Sequence, residues 1–192
     1  APDCTIDLGV LDNNDYCQTT PQVVVPCYVY GKPDVGSLSG QMDALVAFDY
    51  GTTGPKDMSK IALLAKAEEV GTLWGVAYDR YKHKVYTSAT LKRHAGLGPL
   101  GLGGIYVTDM ATNTASPYVD VSQPPLNINV GATNAGNPWF GVTNATRGLN
   151  PDPAQPSADS LAFELIGKVG IGDLEISEDG KSLYFINLFD KK

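Results

Sequence analysis

The chain has 192 residues and a formal net charge of −7, with 21 Gly, 13 Pro and 43 % apolar residues. Apolar side chains spread along its whole length argue against wholesale disorder, and no apolar run approaches the ~18 residues of a membrane-spanning helix. The Gly and Pro content argues against a helical bundle, and the acidic balance argues against a nucleic-acid partner, whose phosphates want a basic face.

Residues 1–22 are acidic and polar. They open on Ala1 with no basic-then-apolar leader, which reads as a mature, exported chain. All three cysteines, Cys4, Cys17 and Cys27, lie in the first 27 residues. Without close Cys pairs or nearby His they do not form a metal site, so one disulfide is expected. All three pairings are open. Cys4–Cys17 is preferred, because the acidic segment can bend whereas Cys27 lies in a predicted strand. Asp12-Asn13-Asn14-Asp15 resembles the start of a calcium loop, but Cys17 and Val23 stand where Gly and Glu are required. A solvated turn is expected there, and no metal or other cofactor.

From residue 23 to 192 the chain reads as one β region. Val23–Tyr30 and Asp43–Tyr50 are strand-like runs closed by Gly31-Lys32-Pro33 and by Gly51 with Gly54-Pro55. Residues 57–69 favour helix by composition, though a short strand fits inside Ile61–Ala65. Leu73–Asp79, Lys84–Thr90 and Gly104–Met110 predict three strands, with a fourth at Tyr118–Val121. Residues 122–165, rich in Pro, Asn and Gly, are too long for a simple connector and read as an inserted loop. Leu126, Ile128, Val130, Trp139, Phe140 and Val142 are expected to dock it on the sheet. Asn144-Ala145-Thr146 is a glycosylation sequon. Strands return at Asp173–Ser177 and Ser182–Leu188 around Asp179-Gly180, a hairpin signal.

Gly75–Tyr86 is echoed by Asp173–Tyr184 at a constant offset of 98 residues. Both read as apolar strand, polar turn, then an apolar-Tyr strand, the pattern of a propeller blade's inner hairpin. Val70-Gly71-Thr72-Leu73-Trp74-Gly75-Val76-Ala77-Tyr78-Asp79, the string Lys92-Arg93-His94-Ala95-Gly96-Leu97-Gly98-Pro99 and Gly172-Asp173-Leu174 with Asp179–Tyr184 together resemble large secreted bacterial surface proteins that carry serine-aspartate-repeat B-type domains. The resemblance covers about residues 70–110 and 168–190. It implies a propeller-like region of an exported cell-surface protein, and it supplies no established activity and no catalytic residues to carry over. The calcium-binding B-type repeats have no counterpart here.

Lys92-Arg93-His94, followed by Gly96, Gly98, Gly101, Gly103 and Gly104, is the most conspicuous candidate site. Basic side chains beside a glycine loop can hold an anion on exposed N–H groups. The bland alternative is a strand connection whose glycines permit positive φ. His94 is the one plausible catalytic imidazole, with Asp79 or Asp109 as carboxylate. His83 reads as solvated. Trp74 reads as core, leaving Trp139 as the candidate for stacking on a sugar.

The expectation is an all-β fold of propeller-like blades, about two blades' worth of strands in an incomplete ring. Its function is that of a non-catalytic extracellular structural or binding module. Partners are other protein chains or the rest of a longer polypeptide, with glycans as a further option. An unpaired edge over Tyr184, Ile186, Leu188 and Phe189 is expected to carry the assembly. The alternatives are an enzyme built on His94 and a carbohydrate-binding module centred on Trp139.

Overall fold

The computed structural model describes residues 20–53, 58–131 and 142–191. Cys4, Cys17, the Asp12–Asp15 turn, Trp139 and Phe140 lie outside the described residues. The fold is all-β, in three antiparallel sheets that form incomplete propeller-like blades. The first holds β1 (Gln22–Pro26), β2 (Asp43–Asp49) and β3 (Ala62–Lys66). The second is a four-stranded meander of β4 (Leu73–Asp79), β5 (Lys84–Ala89), β6 (Gly104–Asp109) and β7 (Thr114–Asp120). The third is the hairpin β8 (Ile171–Ile176) and β9 (Leu183–Asn187).

The second sheet is the middle layer, because its alternating side chains feed two separate cores. Ile105 of β6 packs with Leu174 and Ile171 of the third sheet, and the next residue, Tyr106, packs with Leu45, Ala47 and Leu64 of the first. Burial pushes the Tyr106 phenol up to about 12, and its hydroxyl accepts the Leu100 N–H at 3.1 Å. Leu73 and Ala77 of β4 have the same parity yet face opposite cores. A register shift between Leu73 and Val76 accounts for this, since one extra residue exchanges the two faces of a strand.

The 98-residue echo becomes a physical contact. Arg80 Nη2 donates to the Glu178 carbonyl at 3.2 Å and Lys82 Nζ to the Gly180 carbonyl at 3.0 Å. Equivalent turns of two hairpins therefore meet. Deeper in the molecule Ser88 Oγ accepts the Gly75 N–H at 3.0 Å and donates to the Gly172 carbonyl at 2.7 Å. Gly75 is required there, because a Cβ would stand 2.8 Å from Leu174 N and 2.9 Å from Gly172 O.

Asp79 organises the first of these turns. Its side chain has no exposed surface and accepts the N–H groups of Tyr81 and Lys82, each at 3.0 Å, and Lys82 Nζ at 2.7 Å. Burial pushes its pKa up, but the bonds from Lys82 and Tyr81 outweigh that and hold it below the usual aspartate range. A folded-state value below the unfolded one stabilises the protein at neutral pH, and the contribution drains away as pH falls below about 4. Urea midpoints measured between pH 3 and 7 should therefore fall on the acid side, and Asp79→Asn should flatten that fall. An unchanged acid limb in the variant would remove Asp79 from the account.

Several expectations are corrected by packing. The described part of the 57–69 stretch holds both strand and helix: β3 is followed by one turn, Ala67–Val70, whose Glu69 carboxylate accepts the Lys66 N–H at 2.7 Å. β1 stops at Pro26 rather than Tyr30, where the missing proline N–H interrupts the ladder. Among the described residues of the 122–165 segment the one regular piece is Ser160–Phe163. Val130 and Val142 are buried and Ile128 packs beside them, while Leu126 turns outward.

The cysteine expectation is overturned where it can be read. Cys27 is a free thiol, so neither of its pairings forms, and no disulfide occurs among the described residues. The Cys27 N–H is bonded to the Ala44 carbonyl at 2.8 Å and its sulfur lies half-buried 3.9 Å from the Val25 carbonyl. Burial, with Asp43 adding to it, pushes this thiol up and keeps it protonated.

Candidate functional site

The Lys-Arg-His string lies in the β5–β6 connection, between Ala89 and Gly104. Each basic side chain rests on an aromatic ring. Lys92 Nζ sits 5.0 Å from the Tyr28 centroid, Arg93 lies over Phe163 at 5.6 Å, and the His94 ring is tilted against Tyr30 at 5.4 Å. The three residues come together in sequence and diverge in space, each tying the loop to a different neighbour.

The backbone N–H groups that would cradle an anion are already committed. His94 N donates to Asp159 Oδ2 at 2.5 Å, Leu97 N to Asn144 Oδ1 at 2.7 Å, and Gly96 N to the Gly31 carbonyl at 3.0 Å. Asn144 also returns its Nδ2 to the Leu97 carbonyl at 2.7 Å. The sequon asparagine thus acts as a clamp that pairs with one residue as a strand would.

Beneath this loop sits an ion pair that no sequence pattern announces. Arg147 Nε and Nη2 donate to the two oxygens of Asp159 at 2.9 and 2.6 Å, and both side chains have no exposed surface. Arg147 Nη2 also donates to the Lys92 carbonyl at 2.7 Å. The pair joins the long β7–β8 connection to the β5–β6 loop.

His94 is not paired with a carboxylate. Asp79 and Asp109 face Lys84 at the start of β5, whereas His94 follows its end, so a strand's length of about 17 Å separates them. His94 Nδ1 is buried without a partner among the described residues, and Asp109 accepts the Ala111 N–H at 2.9 Å. His83 is exposed, with its Nδ1 2.9 Å from the Tyr78 hydroxyl.

A concave feature lies beside this loop. A groove of about 360 Å³ runs between the second and third sheets, with Tyr28, Trp74, Lys92, Asp173, Ile166 and Ile186 on its walls. Trp74, expected in the core, is 59 % exposed. It stands in the bulged stretch of β4, at the sheet's edge, where the shifted register releases it from both cores. Of the sequence candidates, Lys92, Ile186 and Leu188 meet in this groove, and Arg93, His94 and Tyr184 do not.

The expected edge is seen in part. Tyr184 and Ile186, two residues apart on β9, are 59 % and 50 % exposed, with Ile186 at the groove's wall. Leu188 is half-buried, and Phe189 folds back against the core.

No protein-family model matches the chain, and no solved structure is similar to it. Three proteins of Dictyostelium discoideum are similar in sequence. The relatives are Colossins. Colossin-D is 26 % identical over 198 residues, which covers 100 % of this chain and 19 % of Colossin-D. Colossin-A is 33 % identical over 115 residues, or 60 % of this chain and 1 % of its own length. Colossin-B is 25 % identical over 122 residues, or 61 % of this chain and 3 % of its own. The chain therefore spans less than a fifth of each of these relatives. Their eukaryotic source overturns the resemblance to bacterial surface proteins. The strings that carried it are explained instead by local constraints: glycines for close approach, and Asp and Gly for tight hairpins.

Proposed function

We propose that this chain is a non-catalytic extracellular structural and binding module whose stacked sheets are continued by further strands of a longer polypeptide. The outer face of the third sheet carries the reading. Among the described residues β9 pairs only with β8, and Tyr184 lies directly opposite Glu175 on a face that no other sheet covers. An unpaired edge beside exposed Tyr and Ile is a surface that soluble proteins generally cover. The small share of Colossin-D that the chain matches supports its being one part of a larger array. The backbone N–H groups of His94, Gly96 and Leu97 and the Lys92 carbonyl are engaged in tying segments together, which supports a scaffold rather than a reaction centre.

The 192-residue chain should self-associate at micromolar concentration through this edge, and its β9 amides should exchange quickly in the monomer. Tyr184→Lys with Ile186→Lys should abolish the association while leaving the fold intact. Sedimentation velocity and hydrogen exchange read both. A compact monomer with slow exchange at residues 184–189 would mean that the edge is closed, and the reading would fall.

A further inference from the structure

We propose that the groove between Tyr28 and Trp74 binds a neutral sugar ring, an inference that rests on reading the chain as a binding module and names its ligand class. Trp74 is the first observation. It is the largest side chain type, it is 59 % exposed, and its indole N–H makes no hydrogen bond among the described residues. Tyr28, 43 % exposed, stands in the same groove, one face of its ring taken by the Lys92 ammonium. Two exposed aromatic rings in one concavity are unusual outside binding sites, and 360 Å³ falls at the small end of the range for small-ligand clefts.

The polar groups choose the chemistry. Lys92 contributes a donor, Asp173 an acceptor and Thr90 a hydroxyl able to do both. A pyranose offers the complement, with apolar C–H faces for the indole and phenol rings and a rim of hydroxyls that donate and accept. One ammonium and one carboxylate leave the groove near neutrality in a chain of net charge −7, so a phosphate or sulfate has little to gain. A peptide adding as a strand is disfavoured at this point. The backbones of β4 and β8 already touch at Gly75 and Gly172, with no room even for a Cβ between them.

The test uses the full chain and a defined panel: methyl glycosides of glucose, galactose, mannose and N-acetylglucosamine, with cellotriose, maltotriose and chitotriose. Titration calorimetry and tryptophan emission report binding. At least one member should bind saturably in the millimolar range or tighter, and Trp74→Ala should weaken it about tenfold or more. Asp173→Asn should weaken it a few-fold, and Trp74→Phe should retain part of the affinity. Circular dichroism of the Trp74 variants establishes that they fold, as the side chain's exposure predicts. A panel with no binder, binding restricted to phosphorylated or sulfated sugars added as controls, or wild-type affinity in Trp74→Ala would each overturn the proposal. Self-association through β9 is measured separately, so failure here leaves the module reading standing and the reverse also holds.

Discussion

Replacing Asp159 by alanine is expected to cost about 3–5 kcal/mol of folding stability, the range for breaking a buried ion pair by removing one partner. The reason is what remains. The Arg147 guanidinium has no exposed surface, and without Asp159 it keeps only the Lys92 carbonyl. The backbone N–H of His94, held in the left-handed region at φ 65°, loses its acceptor as well. Its loss should free the β5–β6 loop and the 142–165 segment together, so limited proteolysis should cut both where the wild type resists. The pair need not be the most stable filling for that site. Arg147 Nη1 has no partner among the described residues, and its desolvation is uncompensated there. Arg147→Met with Asp159→Leu should therefore be less destabilised than either single variant. Urea unfolding of the four proteins gives the coupling directly, and a loss under ~1 kcal/mol in Asp159→Ala would show the pair to be dispensable.

The second sheet is legible in the sequence because its strands are built from Val, Tyr and Thr and its turns from Asp, Asn and Gly. Asp79 and Asp109 accept the N–H groups of their own turns, and His83 and Asn113 take positive φ there. The 98-residue echo is legible for the same reason, since a repeated hairpin repeats its turn chemistry. β3 is not. Ala62-Leu63-Leu64-Ala65-Lys66 has helical composition, and the ladder to β2 with the burial of Leu64 and Ala65 decides against it. Trp74 reads as core because it sits in an apolar strand. Only the bulge, which depends on how β4 meets β5, turns it out into the groove. Arg147 and Asp159 are illegible for a different reason. They lie in a Pro- and Asn-rich stretch without periodicity, and nothing in their spacing marks two charges for burial. The Lys-Arg-His string is legible as a feature, whereas its partners Tyr28, Phe163 and Asp159 are not, because they come from distant parts of the chain.

The glycines beside that string mark a close crossing of two backbones, and Gly71→Ala is the substitution expected to expose it. Gly71 follows the Ala67–Val70 turn at φ 64°, where an L side chain costs about 1–2 kcal/mol. It also crosses the β5–β6 loop at a single antiparallel bridge to Leu97. A Cβ there would run into the backbone of Leu97 and Gly98, and a Cβ on Gly98 would run into the backbone of Val70. Neither side can give way. Thr72 holds the Gly96 carbonyl through its N–H at 3.0 Å and its hydroxyl at 2.8 Å, and Asn144 clamps Leu97 from the other side. Forcing an atom into such a contact adds about 1–3 kcal/mol of strain, so Gly71→Ala should cost about 2–5 kcal/mol in all. Gly101→Ala supplies the control. It has the same φ of 64° but nothing within 4 Å of its Cβ, so it should carry the conformational cost alone. The difference between the two urea midpoints isolates the crossing. Equal losses would mean that the loop yields and that the glycines serve only to permit positive φ.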